Sequence, residues 1–283
     1  MLWRQGIKVN NYDEIKKLYD NNIIYSNEFT NYDDDFSFWA YWINKIKPKN
    51  VLEIGIGNGR LIKLLANSVL SYDGLDVSKN IIDDFLSKNS WYKGNLFNQD
   101  MKNIKINKTY DLIILPFNTF CYLYTLDDLK HFFSGIKKIS NDNSIIVIDL
   151  INPNINDIID QTKYKLCSRF SINNKMCKLY EKHNYDYSTQ IINYRKKYVF
   201  SNGRIVKLNL PVRVFFHQEL LNLLNLFGYE IVNMLGDYNN ENYSFNSRKQ
   251  IAFIRRSEEK WNYQITRIGL KLWTENMLYS IVF

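Results

Sequence analysis

The sequence has very few cysteines. Cys121, Cys167 and Cys177 are the only three in 283 residues, and no two of them have the short spacing of a zinc motif. A disulfide framework and a structural zinc site are therefore not expected, and we predict no metal in the protein. Proline and glycine are also scarce, with 4 and 11 residues. Long flexible linkers are not expected for this reason, and the chain length suits one sizeable core.

Long apolar runs are absent as well. No stretch reaches the roughly 20 apolar residues that a membrane-spanning helix needs. The first residues, MLWRQGIKVNNYDEIKK, do not contain the apolar segment of a signal peptide. We therefore expect no membrane-spanning segment, and we expect a cytoplasmic location in a bacterial type of cell.

The chain is basic but has no basic run of five or more residues. Lysine and arginine number 37 against 29 acidic residues, which gives a net charge of +8. Such a charge can indicate a nucleic-acid or other anionic partner. Scattered basic residues also follow from the high content of lysine, asparagine, isoleucine and tyrosine that an AT-rich genome produces. We favour this second interpretation, so nucleic acid is not expected as a partner.

Short apolar segments alternate with amphipathic ones in the first half of the chain. The segments NVLEIG, YDGLDVS, YDLIILPF and SIIVIDLIN predict strands, with helices between them. This alternation is typical of an α/β fold with a doubly wound parallel sheet. Ahead of the first strand, apolar residues three and four positions apart predict helix within residues 11–47.

The pattern changes after the fourth of these strands. Residues 164–216 alternate with a period of two, and Asn202-Gly203 separates two such runs, which predicts an antiparallel hairpin with a type I′ turn. We therefore divide the chain into four parts: a helical cap (1–47), the sheet domain (48–154 and 217–256), an antiparallel insert (155–216) and a C-terminal extension (257–283). The extension could pack on the domain, form a homodimer or cover the site, with packing or dimerisation preferred.

The stretch VLEIGIGNGR is the strongest chemical signal in the sequence. It places an acid, Glu53, before Gly55, Gly57 and Gly59, at the junction of a predicted strand and helix. Glycines at this junction let a ligand approach bare backbone amides and a helix N-terminus. Asp76 ends the next strand, where a carboxylate suits hydrogen bonds to ribose hydroxyls. The sequence therefore predicts a nucleotide-type site, with glycine spacing different from the dinucleotide fingerprint.

Together with GLDVS, this stretch resembles motif I and its acidic partner in the class I S-adenosylmethionine (SAM) dependent methyltransferases. The similarity continues through YDLIILPFNTFCYL, SIIVIDLINPN and VRVFFHQELLNLLNLFGYEIVNMLGDY, and covers about residues 19–256. The sequence most resembles the small-molecule branch, which includes sugar-amine N-methyltransferases. The resemblance implies SAM as cofactor and a Rossmann-like, seven-stranded sheet with an antiparallel β insert after strand 5, on the acceptor side.

The resemblance also implies which residues contact the methionine and ribose parts of SAM. Gly55 and Gly57 match the loop beneath the methionine part, and Glu53 matches the acid that orients this loop. Asp76 matches the ribose ligand. Tyr25 matches an N-terminal tyrosine that closes over SAM, which makes it a candidate for cofactor binding and for a positioning role in catalysis.

Further cofactor contacts are implied around the adenine and the methyl group. Val77, Asn95 and Leu96 match residues around adenine, although the family usually has aspartate where this chain has Asn95. The amide oxygen of asparagine can still accept a hydrogen bond. Pro116 and Phe117 follow the YDLIIL strand, where the family lines the gap between SAM and the acceptor.

Catalysis of methyl transfer depends mainly on positioning two reactants and excluding water. His217, at a predicted strand-to-helix junction, is the candidate base for a hydroxyl acceptor; a helix-capping or surface role is the alternative. His217, Tyr122 and Arg213 are candidate acceptor contacts. Tyr122 could join an aromatic cage for an ammonium group or simply pack in the core. Arg213 could anchor an acidic group or form a structural salt bridge.

We predict from these features a methyltransferase that acts on nitrogen or oxygen of a small-molecule acceptor. A nucleic-acid methyltransferase is disfavoured, because LPFN stands where such enzymes carry the N-P-P-Y or D-P-P-Y motif that binds a flipped base. Protein methylation, a non-methylating use of SAM and a SAM-binding sensor stay open. Product analysis separates these uses of SAM. S-adenosylhomocysteine indicates methyl transfer, methylthioadenosine indicates chemistry on the aminocarboxypropyl arm, and the absence of both products indicates a SAM-binding sensor.

Overall fold

A computed structural model describes residues 24, 27–29, 32–154, 158–172 and 174–257. Tyr25 and the predicted C-terminal extension, apart from its first residue, lie outside these ranges. Within the described part of the predicted N-terminal helix, residues 36–46 are helical. No helix in the described ranges is long and apolar enough to cross a membrane.

The described helices and strands follow the predicted order. The helices are α1 (Phe36–Ile46), α2 (Arg60–Leu65), α3 (Lys79–Lys88), α4 (Leu126–Ile139) and α5 (His217–Leu226). The strands are β1 (Asn50–Ile54), β2 (Ser71–Asp76), β3 (Leu96–Asn98), β4 (Leu112–Leu115), β5 (Ile145–Ile151), β6 (Gln161–Ile172), β7 (Lys175–Asp186), β8 (Ile191–Phe200), β9 (Ile205–Arg213), β10 (Tyr229–Leu235) and β11 (Lys249–Arg256). Short 3₁₀ turns occupy Ala66–Ser68 and Thr119–Tyr122.

Seven of these strands form one sheet in the order β10-β11-β5-β4-β1-β2-β3. Strands β1 to β5 pair in parallel, whereas β11 is antiparallel to both of its neighbours. Helices α1, α2 and α3 pack on one face, and α4 and α5 pack on the other. The predicted doubly wound, seven-stranded sheet with an insert after β5 is therefore confirmed. The strand order reverses between β1 and β4, and ligands of open α/β sheets bind at the carboxyl ends of strands at such a point.

The insert is a separate four-stranded antiparallel sheet in the order β6-β7-β8-β9. The predicted hairpin between β8 and β9 is confirmed, but its turn is not type I′, because only Gly203 has a positive φ, of 84°, and Asn202 does not. Gly203 N–H donates to the carbonyl of Phe200, and Phe200 N–H donates to that of Arg204. This pattern fits a three-residue loop that ends in a left-handed glycine.

Candidate functional site

A cavity of about 370 Å³ lies at the carboxyl ends of β1, β2, β3 and β4 and is covered by the insert. This volume is in the range of small-molecule sites. The sheet side contributes residues of the glycine loop, Asp76, Val77 and the segment after β3. The insert contributes side chains from β7, β8 and β9. The cavity therefore lies where the strand order predicts a ligand site, between two structurally different walls.

The glycine loop forms the floor of this cavity. Gly55, Gly57 and Gly59 have φ values of 79°, 53° and 70°, a backbone region that side-chain-bearing residues rarely adopt. A Cβ at Gly55 would lie 2.6 Å from the hydroxyl of Thr119, and one at Gly59 would lie 2.2 Å from the ring of Phe85. Gly55 and Gly59 therefore allow close packing of neighbouring side chains. Gly55 also lines the cavity, together with Gly57.

Asp76 ends β2 with its carboxylate at the cavity wall. Its Oδ2 accepts from Gly57 N–H at 3.1 Å, and its Oδ1 accepts from Ser78 N–H at 2.9 Å. Burial raises the pKa of this carboxyl to about 6. Each carboxylate oxygen can accept a further hydrogen bond, so Asp76 can still receive hydroxyl donors from a ligand. Val77, the next residue, also lines the cavity.

Glu53 lies behind the glycine loop rather than in the main cavity. It lines a smaller recess with Tyr32, Arg60, Pro116 and Phe117. The carboxyl of Glu53 is buried and accepts from the hydroxyl of a neighbouring strand's tyrosine at 2.9 Å. Burial raises its pKa to about 8, against the opposing effect of the Arg60 guanidinium. The carboxyl of Glu53 is therefore largely protonated at neutral pH.

This protonation gives a prediction about stability. The folded-state pKa of Glu53 lies above its ordinary value of 4.5. The folded chain therefore binds more protons than the unfolded chain between these values, and the stabilisation is complete below about 4.5 and lost as pH rises through about 8. We expect Glu53→Gln to remove this loss, because a glutamine does not ionise. Urea unfolding of both proteins across this pH range checks it, and parallel stability curves would contradict it.

The loop after β4 is held by a buried acid that the sequence analysis missed. Phe117 and Asn118 both have positive φ, 52° and 63°, which strains residues with side chains. Asp149 on β5 stabilises this strained backbone. Its carboxylate accepts from Phe117 N–H at 2.8 Å, and its carbonyl accepts from Asn118 N–H at 3.0 Å. The same carboxylate receives Tyr238 O–H and Lys249 Nζ at 2.6 and 2.9 Å. An acid within the apolar strand IIVIDLI was the available signal.

Asn95 and Leu96, the expected adenine contacts, do not line the cavity. Asn95 precedes β3 and Leu96 is its first residue, so both lie at the amino end of this strand. The side-chain nitrogen of Asn95 donates to the carboxylate of Asp73 at 3.2 Å. Ligand sites lie at the carboxyl ends of strands. Asp100 and Met101, just after β3, line the cavity instead, because the parallel pairing of β2 with β3 brings them beside the end of β2. The acid two residues after the short strand LFN was the signal for this position.

The insert presents a charged cluster to the cavity. Lys196 and Glu181 both line it. The ammonium of Lys196 lies 2.6 Å from Glu28 and 3.3 Å from Glu181. Glu28 also accepts from the hydroxyl of Tyr198 at 2.6 Å. Two carboxylates thus meet one ammonium, which leaves a formal excess of one negative charge at this wall.

The three predicted acceptor residues have different positions. Tyr122 lines the cavity. Arg213 is buried and ion-pairs with Glu219 at 2.7 Å, while its other terminal nitrogen donates to the carbonyl of Tyr124 at 3.1 Å. It does not line the main cavity, so the geometry matches the structural salt bridge.

His217 begins α5 and does not line the main cavity either. Its ring stacks on Tyr243 with centroids 4.3 Å apart, and its Nδ1 lies 3.2 Å from the side-chain oxygen of Gln250. The structure thus does not bring the candidate base to the site. Among the described residues, no group of three or more histidine, cysteine or acidic side chains has the geometry of a metal site.

Comparison with known proteins gives one family match and many similar structures. Residues 51–143 match the model of a methyltransferase domain. No curated protein sequence matches the chain. The CcbJ methyltransferase from Streptomyces caelestis is similar at 18% identity and a TM-score of 0.69, over 79% of this chain and 90% of that one. An S-adenosylmethionine-dependent methyltransferase from Clostridium acetobutylicum has 15% identity and a TM-score of 0.69, over 88% of this chain and 100% of that one.

A third similar structure is CalS10, an amino pentose methyltransferase from Micromonospora echinaspora, solved with SAM bound. Its identity is 13% and its TM-score 0.61, over 78% of this chain and 90% of that one. At such identities the likeness establishes the fold, which is the predicted class I methyltransferase fold. The matching domain model independently identifies the part of the chain that carries the glycine loop, Asp76 and the β4 loop.

Proposed function

We propose that this chain, which has a matching methyltransferase domain and the class I methyltransferase fold, transfers the methyl group of SAM to an amine group of a small molecule. The observation that carries this proposal is the charge and shape of the cavity. One wall holds the bare glycine loop and Asp76, and the opposite wall holds the excess carboxylate of the insert cluster. A donor and a cationic acceptor can therefore bind against opposite walls of one cavity.

The donor side fits SAM through residues that the structure describes. In our proposal Gly55 and Gly57 lie beneath the methionine part, and Asp76 accepts from the ribose hydroxyls. Val77 and Met101 offer apolar surface to the adenine, and Asp100 offers an acceptor for its amino group. SAM supplies the activated methyl group, and the chain binds, orients and shields it from water.

The acceptor side favours an amine over a hydroxyl. Glu181 of the insert and Glu28 of the N-terminal segment together outnumber Lys196, which both contact. Of these three, Glu181 and Lys196 line the cavity, together with the aromatic side chains of Tyr122 and Tyr194. Carboxylates and aromatic faces both attract an ammonium group. An amine needs only to lose a proton, which water can take, whereas a hydroxyl acceptor depends more strictly on a base. His217 does not line the cavity to serve as that base.

The class of reaction is tested by product analysis with the full chain. We propose to incubate the protein with SAM and pairs of small sugars that differ only in an amine or a hydroxyl at one carbon. S-adenosylhomocysteine and an N-methylated sugar are expected from the amino sugars. Methylthioadenosine, or preferential methylation of the hydroxyl partners, would contradict the proposal.

The acceptor wall gives a second prediction. Glu181→Gln removes the excess charge but leaves Lys196 paired with Glu28, so we expect the KM for the amine to rise about tenfold while SAM affinity changes little. Glu241→Gln is the matched control, because it makes the same substitution at an exposed residue that does not line the cavity. Steady-state kinetics measures the KM for the amine, and calorimetry measures the affinity for SAM. Equal KM values in the two variants would refute the role of Glu181.

A further inference from the structure

The insert sheet has two faces of opposite character. Its inner face is buried through residues such as Leu179, Tyr198 and Leu208. Because side chains alternate along a strand, the intervening positions lie on the other face, which is buried where Ile191 pairs with Arg213 and accessible at the basic positions named next. Six of these positions are basic and together define the outer basic face: Arg169, Lys178, Lys182, Arg195, Lys197 and Lys207. Four of the six side chains are exposed, and those of Lys182 and Lys197 are half-buried.

Ring contacts confirm that cations from different strands share this face. The ammonium of Lys182 lies 5.0 Å from the ring centroid of Tyr164 on β6, and that of Lys197 lies 4.8 Å from it. Lys197 also lies 5.1 Å from the ring of Tyr180 on β7. Two aromatic rings therefore lie among the cations near the middle of the outer basic face.

The strand register sets like charges directly opposite one another. Arg169 pairs with Lys178, Lys182 with Arg195, and Lys197 with Lys207. Like charges in directly opposed positions destabilise an antiparallel pair. The arrangement therefore lowers the folding stability at three places on one small sheet.

No acidic side chain compensates these charges within the described part of the chain. None of the six cations has an ion pair there, whereas Lys196 on the inner face has two. None of the three described acids of the insert forms an ion pair with these cations. Glu181 lines the cavity, and Asp160 accepts from the backbone N–H of Tyr185. Asp186 ends β7 on the same side as Lys182, but its carboxylate accepts from Ser188. The outer basic face is accordingly complementary to an anionic partner from outside the chain.

The distribution of residue types narrows the class of partner. A second copy of this chain is disfavoured, because it would bring the same cations and a net charge of +8. Protein interfaces are depleted of charged residues at their centre. On the outer basic face the charged residues lie at the centre instead. The exposed apolar residues Leu166, Met176 and Ile205 lie on an edge strand or at strand ends. Nucleic-acid interfaces are instead polar and strongly positive.

We propose that the outer basic face binds single-stranded nucleic acid. Basic side chains that follow a phosphate backbone, together with aromatic rings on which bases stack, are how such strands are bound without sequence preference. Four of the six cations are lysines, which interact with phosphates as point charges rather than through a bidentate fork. The site lies on the opposite side of the insert from the cavity, so binding there does not require the bound strand to be the methyl acceptor.

Fluorescence anisotropy with the full chain tests this proposal. The probe is a labelled oligo(dT) or oligo(U) of about 15 nucleotides, close to the length that one small domain covers. We expect micromolar binding at about 50 mM salt that weakens steeply towards about 200 mM, because phosphate contacts release counterions. The triple variant Lys182→Gln/Arg195→Gln/Lys197→Gln should lose at least tenfold in affinity and show a shallower salt dependence.

A matched control separates this face from the total charge of the chain. Lys130→Gln/Lys137→Gln/Lys138→Gln removes the same charge from exposed positions on α4 and should lose less than about twofold, since nonspecific attraction is weaker than direct contact. The face variant should melt no lower than the wild-type protein, because it removes opposed like charges. No binding at low salt, equal losses in both variants, or binding to anionic phospholipid vesicles without binding to oligonucleotide would overturn the proposal.

Discussion

Replacing Gly57 by valine is expected to abolish SAM binding while the chain still folds. Gly57 lines the cavity at a φ of 53°, and its N–H donates to Asp76. A β-branched side chain at this φ is strained and would occupy the space that the bare backbone leaves to the ligand. In our proposal this loop lies beneath SAM, so both effects lower the affinity for SAM. The expected loss exceeds about a hundredfold in affinity, or about 2.7 kcal/mol.

A second valine variant separates loss of the ligand from strain in the backbone. Gly203 also has a positive φ, of 84°, but it lies in the hairpin turn, where a Cβ would meet no atom within 4 Å. Gly203→Val therefore imposes a similar strain away from the cavity. Calorimetry should detect SAM binding to Gly203→Val and not to Gly57→Val, with similar circular dichroism spectra. Normal binding by a folded Gly57→Val protein would show that the loop does not lie beneath SAM.

Removal of the Asp76 carboxylate is expected to lower SAM affinity at least tenfold. In our proposal Asp76 accepts from ribose hydroxyls, and each buried donor left unpaired costs about 1–3 kcal/mol. Asp76→Ala also leaves the N–H of Gly57 without its acceptor. Asp83→Ala, on the exposed side of α3, is the control for the loss of an acidic charge. Unchanged affinity by calorimetry would refute the ribose assignment.

The raised pKa of Asp76 adds a pH dependence to this prediction. Burial places the pKa near 6, above the ordinary value of 3.8. The contribution of this group to stability is therefore complete below about 3.8 and lost as pH rises through about 6. Ligand hydroxyls favour the ionised form, so SAM affinity should fall as pH drops through about 6. Asp76→Asn cannot ionise, and a fall of equal size in that variant would assign the titration to another group.

The fold could largely be predicted, because its signals are local. Apolar runs of four to seven residues between amphipathic helices gave the strands β1, β4 and β5, and the period-two pattern gave the insert. The type of the hairpin turn could not be predicted in the same way. Asn202-Gly203 suits either a two-residue or a three-residue loop, and the register of β8 against β9 selects the longer one.

The candidate site was predictable only where its residues adjoin a strand end with a clear pattern. Gly55, Gly57 and Asp76 follow or end strong strands, and all three line the cavity. Asn95 was expected beside the ligand but does not line the cavity, because β3 has only three residues and no periodic signal marks where it ends. His217 does not line it either, because a strand-to-helix junction in the sequence does not determine what the side chain of the first helical residue contacts.

The sequence by itself determined the glycine loop, the alternation of strands and helices, and the antiparallel insert, since each depends on neighbours within a few residues. Only the tertiary structure decided which distant groups meet. Asp149 holds the backbone of Phe117 across 32 positions, and Lys196 pairs with Glu28 across 168. The same holds for charge, because basic residues that look scattered along the chain collect on one face once strand alternation and register align them.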